Sequence, residues 1–158
     1  MQNFQINKLD DGLLKEIDHK IDTKTKPLGA LGQLEVIARK VALIQNTLTP
    51  ELNNPHMLVF AADHGVANDG VSAYPQEVTF QMVMNFLQGG AAINVFSKQH
   101  GLNLKVVDAG VNFDFAPNEH LIDAKIAKGT KSFLHEPAMS AEQCEQAMNK
   151  GAALVDQL

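Results

Sequence analysis

The chain has one cysteine, Cys144, among its 158 residues. No disulfide can close within it, and no structural zinc site can be built on several thiolates. A reducing, cytoplasmic setting is therefore expected. Positive charge is also scarce: 13 lysines and arginines stand against 18 aspartates and glutamates, for a net charge of -5. The basic residues are scattered, so no nucleic-acid partner is expected, although one pocket could still hold a single phosphate. No apolar run approaches the ~20 residues that span a bilayer. Residues 1–10 are polar and contain no signal-peptide core, so no membrane partner is expected either. No His-x-His or His-x-x-x-His pair occurs, nor a Walker loop or dinucleotide fingerprint, and no metal or cofactor is expected. Repeats, linkers and low-complexity tracts are absent as well.

What is present suits a globular domain with a real core, since 45% of the residues are hydrophobic and only 20% charged. In residues 9–21 the apolar positions Leu9, Leu13, Leu14, Ile17 and Ile21 have helical spacing. Pro27, Gly29 and Gly32 break the pattern. A second helix then carries Leu34, Ile37, Val41, Ile44 and Leu48 on one apolar stripe. From His56 the character changes. Residues 57–62 form a continuous apolar run, as expected of a strand buried on both faces, and end in the polar loop 63–70. Pro75 suits the first position of a helix whose apolar face is Phe80, Val83, Met84 and Leu87. Gly89-Gly90 reads as a tight corner into another helix over residues 91–100. Residues 104–110 read as a second strand, and the order strand, helices, strand points to a crossover in a parallel sheet. A short strand is expected at residues 124–127. Ser140 and Gln143 have the spacing of a capping box at the start of a last helix. The fold class is α/β: part of a doubly wound parallel sheet with an N-terminal helical subdomain.

In open α/β sheets ligands bind beyond the carboxyl ends of the strands. That directs attention to Asp63-His64 and to Asp108. A carboxylate beside an imidazole suits proton transfer or a metal, and a metal-dependent hydrolase built on Asp63, His64 and Asp108 is one reading. The simpler one is that Asp63 caps its loop and His64 makes a structural hydrogen bond. The Phe and Met content of residues 80–96 is open in the same way, between a pocket for a planar ligand and plain core. Cys144 lies within a helix with no histidine near it in sequence, a poor setting for a nucleophile.

Read as strings, several segments carry a specific resemblance. Lys26-Pro27-Leu28-Gly29-Ala30-Leu31-Gly32-Gln33-Leu34-Glu35 resembles a Lys-Pro-x-Gly-Ser-Leu-Gly-x-Leu-Glu run of the nicotinate-nucleotide–dimethylbenzimidazole phosphoribosyltransferases. Ala62-Asp63-His64-Gly65-Val66 matches their Ala-Asp-His-Gly-Val loop. Tyr74-Pro75-Gln76-Glu77-Val78-Thr79, Gly89-Gly90-Ala91-Ala92-Ile93-Asn94, Asp108-Ala109-Gly110-Val111 and Pro137-Ala138-Met139 follow in order. Two positions depart from the pattern: Glu136 where many members have glycine, and Gln88 where arginine is common.

The resemblance implies transfer of the phosphoribosyl group of nicotinate mononucleotide to 5,6-dimethylbenzimidazole in cobalamin lower-ligand assembly, by a homodimer. It implies that Tyr74, Pro75 and Met82 line the benzimidazole pocket, with Asp63 and His64 in a positioning role at its edge. It also implies that residues 1–50 are the N-terminal segment of a small helical domain, and residues 51–158 the first part of a large α/β domain. The family's Gly-Glu-x-Gly-x-x-Asn-Thr-Thr segment and its catalytic glutamate are expected beyond residue 158. No catalytic residue is therefore assigned here, and these 158 residues alone are expected to be inactive; a truncated base-binding protein is the alternative reading.

Overall fold

The computed structural model describes residues 5–158 and divides into two compact units, one ending at Asn53 and the other spanning Asn54–Leu158. In the first unit, helix α1 (Leu14–Asp22) packs on helix α2 (Gln33–Gln45). Ile17 and Ala42 are their buried residues, and the Arg39 guanidinium lies 2.5 Å from the Asp18 carboxylate. The α2 helix stops where Asn46 turns left-handed, with φ of 48°. The apolar stripe read from the sequence is not the packed face. Ile37 and Ile44 are both more than half exposed, because α1 meets α2 on the side marked by Arg39 and Ala42.

The second unit is built on three parallel strands, β1 (His56–Ala62), β2 (Asn103–Gly110) and β3 (Leu121–Asp123), in the order β1-β2-β3. Helices α3 (Glu77–Leu87) and α4 (Ala92–Gln99) make the crossover from β1 to β2, and α5 (Ala141–Val155) follows β3. Val106 and Val107 point to opposite faces of β2 and both are buried, so β2 is the strand covered on both sides. The expectation of two buried faces for β1 is corrected: it is an edge of the three described strands, and Phe60 is 56% exposed. The core joins Ala61, Val83, Val106 and Val111, with Phe80, Phe86, Leu87, Phe115 and Leu121 packed around them.

The third strand lies before the segment expected to form it. Leu121 and Ile122 supply the apolar pair that meets β2, and the Asp123 carboxylate then accepts the Lys125 amide (3.0 Å), turning the chain out of the ladder. Ser140 and Gln143 form the expected capping box, each side chain bonded to the other's backbone at 3.2 and 2.9 Å. The Gly89-Gly90 corner joins α3 to α4, and the Asn94 side chain bridges it by donating to the Phe86 carbonyl and accepting from the Ala91 amide. Among the described residues no helix is long and apolar enough to cross a membrane.

The carboxyl ends of β1 and β2 are held by a third piece of chain. The Gly110 carbonyl accepts the amides of both Asp63 (3.0 Å) and Gly129 (2.8 Å). The Asp63 carbonyl accepts the Thr130 amide, and the Thr130 carbonyl accepts the Gly65 amide. This approach leaves no space at Gly65, where an added Cβ would lie 2.6 Å from the Lys131 and Thr130 backbone. A clasp reinforces it: Ser132 donates to the Asp69 carboxylate at 2.6 Å, and His135 Nε2 lies 3.0 Å from the same group.

Gly65→Ala should destabilise the chain by about 1–3 kcal/mol, because the clashing atoms are backbone and cannot swing aside. Gly151→Ala, inside α5 with open space around it, should stabilise by about 0.5–1 kcal/mol; urea midpoints of the two variants check both. The Ser132 hydroxyl first, and then His135, hold Asp69 below its ordinary value of 3.8. A carboxylate depressed in the folded state adds stability above its unfolded value and loses it as pH falls through the folded one. The stability gap between the parent chain and Asp69→Asn should therefore be present near neutral pH and close in the acid range below 3.8. A gap that stays constant down to acid unfolding contradicts this.

Candidate functional site

The loops that leave β1 and β2 converge on the end of the sheet where ligands bind in this architecture. Asp63 follows β1 directly and is buried; its Oδ2 accepts the Asn112 amide at 2.7 Å, tying the first loop to the second. Asp108, the sixth residue of β2, is also buried. Its Oδ1 accepts the amides of Gly110 (3.1 Å) and Val111 (2.9 Å), and its Oδ2 lies 2.9 Å from the Lys125 ammonium. The same ammonium donates to the Phe113 carbonyl and sits 5.7 Å from the centre of the Phe115 ring. Lys125 is thus neutralised by a carboxylate, capped by a carbonyl and covered by an aromatic face.

Between α3 and residues 112–113 lies a cleft of about 150 Å³ lined by Asp63, Gln76, Glu77, Phe80, Asn112 and Phe113. Its apolar wall is a ring pair: Phe80 and Phe113 have centroids 4.1 Å apart, and Phe115 stands 5.0 Å beyond Phe113. The polar side comes from Asp63 and from the start of α3, where Gln76 donates to the His64 carbonyl at 2.9 Å. A larger cleft, about 660 Å³, opens beside Asp108, Phe115, Lys125 and Lys128. Its lysines are matched by carboxylates, Lys125 with Asp108 and Lys128 with Asp114 at 2.5 Å. The Lys128 contact lowers the pKa of Asp114. A third, of about 230 Å³, is bounded by Asp63, Gly110, Gly129, Met139 and Gln143.

Of the residues singled out from sequence, Asp63 lines two of these clefts. His64 is exposed, and its backbone, not its ring, makes the contacts with Gln76 and Thr130. Tyr74 and Pro75 are exposed on the loop before α3, which is stiffened by Ser72 bonding both the Tyr74 amide and carbonyl. Met82 lies on α3 and is 38% exposed. Two residues from Phe80 on a helix, it projects about 160° away from the Phe80 side. The cleft beside Phe113 and the surface bearing Met82 are therefore different sides of α3. The residues of the hydrolase reading do not converge: Asp108 faces a lysine, Asp63 holds a backbone amide, and His64 turns outward. No group of three metal-ligating side chains exists among the described residues. Cys144 is exposed on α5.

Sequence reasoning missed Asn112, Phe113, Phe115 and Lys125. The available signal was the pair of phenylalanines just past a strand end, where a ligand wall is expected. The lysine that contacts them lies too far along the chain to be linked by any local pattern.

A family model described as phosphoribosyltransferase matches residues 6–158. The nicotinate-nucleotide–dimethylbenzimidazole phosphoribosyltransferase of Dechloromonas aromatica is 61% identical over 158 residues, which is 100% of this chain and 45% of that protein. The protein of the same name from Phocaeicola vulgatus is 45% identical over 158 residues, again 100% of this chain and 46% of the relative. The crystal structure of CobT from Thermus thermophilus superposes with a TM-score of 0.85 at 41% identity, covering 92% of this chain and 44% of that one. This chain thus spans somewhat under half the length of the relatives it matches. By these matches the chain belongs to the phosphoribosyltransferase family that includes the nicotinate-nucleotide–dimethylbenzimidazole phosphoribosyltransferases.

Proposed function

We propose that this chain supplies the base-side part of an enzyme that transfers the phosphoribosyl group of nicotinate mononucleotide to 5,6-dimethylbenzimidazole. A benzimidazole ring nitrogen attacks the anomeric carbon, the bond from that carbon to the nicotinate nitrogen breaks, and α-ribazole phosphate and nicotinate result. The observation that carries the reading is the 61% identity, along the whole chain, to a relative bearing that activity in its name. The chemistry of the residues supports it. A flat apolar base suits an aromatic ring, a proline wall and a thioether, which are what Tyr74, Pro75 and Met82 offer. Asp63 and His64 act as positioning residues in the loop that reaches α3, Asp63 through the Asn112 amide and His64 through its carbonyl to Gln76. Residues 1–50 belong to the small helical domain and residues 51–158 to the large one. The enzyme works as a homo-oligomer, which is consistent with the exposure of Phe60, Val95 and Phe96, each more than half open.

The nucleophile must lose the proton of its ring N–H during the reaction, and general-base help is worth roughly 10²–10⁴-fold. The resemblance puts the glutamate that does this outside the matched stretch, so the 158 residues alone are expected to form little or no α-ribazole phosphate. Mixing the chain with the remainder of the Dechloromonas relative should restore product, followed by chromatography of the nucleotide. Product from the chain alone at the rate of the mixture overturns the assignment of the base. Tight binding of 5,6-dimethylbenzimidazole with no product from any mixture favours a binding protein instead. In the active mixture, Tyr74→Ala and Met82→Ala should each raise KM for the base by about 5–30-fold, as expected for losing ~1–2 kcal/mol of apolar contact. Unchanged KM in both variants would move the base to the other side of α3.

A further inference from the structure

We infer that Lys125 is a positioning residue for the ligand-facing loop 111–115, the wall of the cleft on the α3 side. The inference rests on the reading above only in placing substrate at this end of the sheet; the base itself is assigned there to the Tyr74, Pro75 and Met82 side of α3.

The loop that carries Asn112 and Phe113 has no regular structure of its own and connects two parallel strands without a helix. Its amino-terminal end is held by Asp108, whose Oδ1 takes the Gly110 and Val111 amides, and by Asp63, which takes the Asn112 amide. From Phe113 onward the polar anchors change to the Lys125 ammonium on the Phe113 carbonyl and the Asp114–Lys128 pair. The two lysine contacts differ in kind. The Asp114 and Lys128 side chains are 77% and 50% exposed, whereas those of Asp108 and Lys125 are 6% and 17% exposed. Screening by water weakens the first pair but hardly touches the second.

Lys125 is itself fixed from three directions. Its amide is bonded to Asp123, its carbonyl accepts the Lys150 ammonium of α5 at 2.7 Å, and its ammonium lies against the Phe115 ring. A point cation with several donors can serve the Asp108 carboxylate and the Phe113 carbonyl together, which a neutral side chain of the same length cannot. The consequence reaches the cleft through Phe113: with its carbonyl anchored, its ring is set against Phe80, and the two make the apolar wall opposite Asp63 and Glu77. Lys125 lines the large cleft and not this one, so it acts on the wall from behind.

The test compares Lys125→Met, Lys125→Arg and the double variant Asp108→Asn/Lys125→Met in the 158-residue chain. The double variant leaves no buried carboxylate unpaired and so guards against simple misfolding. Amide hydrogen exchange is read at Asn112, with Val106 and Val107 of β2 as the internal reference. The ring-current shift of the Phe113 protons reports the contact with Phe80. Lys125→Met and the double variant should speed exchange at Asn112 by about tenfold or more with β2 unchanged, and release the Phe113 shift. Lys125→Arg should restore both to within about threefold, since a cationic donor remains. Exchange at Asn112 and Phe113 shifts that match the parent chain in the folded double variant overturn the inference. So does a loss that arginine fails to rescue. A parallel titration with 5,6-dimethylbenzimidazole separates the two ideas. If the base leaves Tyr74 and Met82 of the parent chain unmoved, the base side of the proposed function fails, while the exchange comparison still decides the role of Lys125.

Discussion

The structure of the larger unit depends on one backbone junction, in which the Gly110 carbonyl receives two amides, one from the end of β1 and one from Gly129. Parallel strands start and finish on the same sides, so every loop leaving a carboxyl end of this sheet must share that one edge. At such an edge the ladder would otherwise leave amides and carbonyls open. Here residues 129 and 130 enter between the ends of β1 and β2 and take up those groups. The junction demands small residues: Gly65 has backbone within 2.6 Å of where a Cβ would stand, and Gly129 has the left-handed φ of 80°. The loops that carry Asp63, His64, Asn112 and Phe113 all leave the strand ends that the junction joins.

Two buried aspartates extend that control to side chains. Each stands at the carboxyl end of a strand, and each directs its charge to backbone amides, where charge-assisted hydrogen bonds are strong. Asp63 reaches across to the Asn112 amide; Asp108 turns its own loop and holds Lys125. Carboxylates committed in this way suit positioning better than proton transfer.

Much of this could be read from sequence wherever the determining interactions are local. The apolar runs of β1 and β2, the Gly89-Gly90 corner and the Ser140–Gln143 box all depend on residues within a few positions of one another, and their types announced them. The motif strings led to the family, which the comparisons then established across residues 6–158. Local pattern fails where tertiary context decides. Ile37 and Ile44 have a packed face's spacing, but α1 docks on the other side. The third strand is only three residues long, too short for alternation to mark it, and lies just before the residues expected to form it. Asp108 and Lys125 sit on separate segments, and only the folded chain brings an acid and a base together there.

Hydrogen exchange at the junction tests its governing role most directly. The amides of Asp63, Gly65, Gly129 and Thr130, all outside the three strands, should be protected to the same order as those of Val106 and Val107 within β2, because they open only when the sheet does. If these amides exchange at the rates of the surrounding loops while β2 stays protected, the junction does not hold the strand ends, and the site has no fixed platform in this chain.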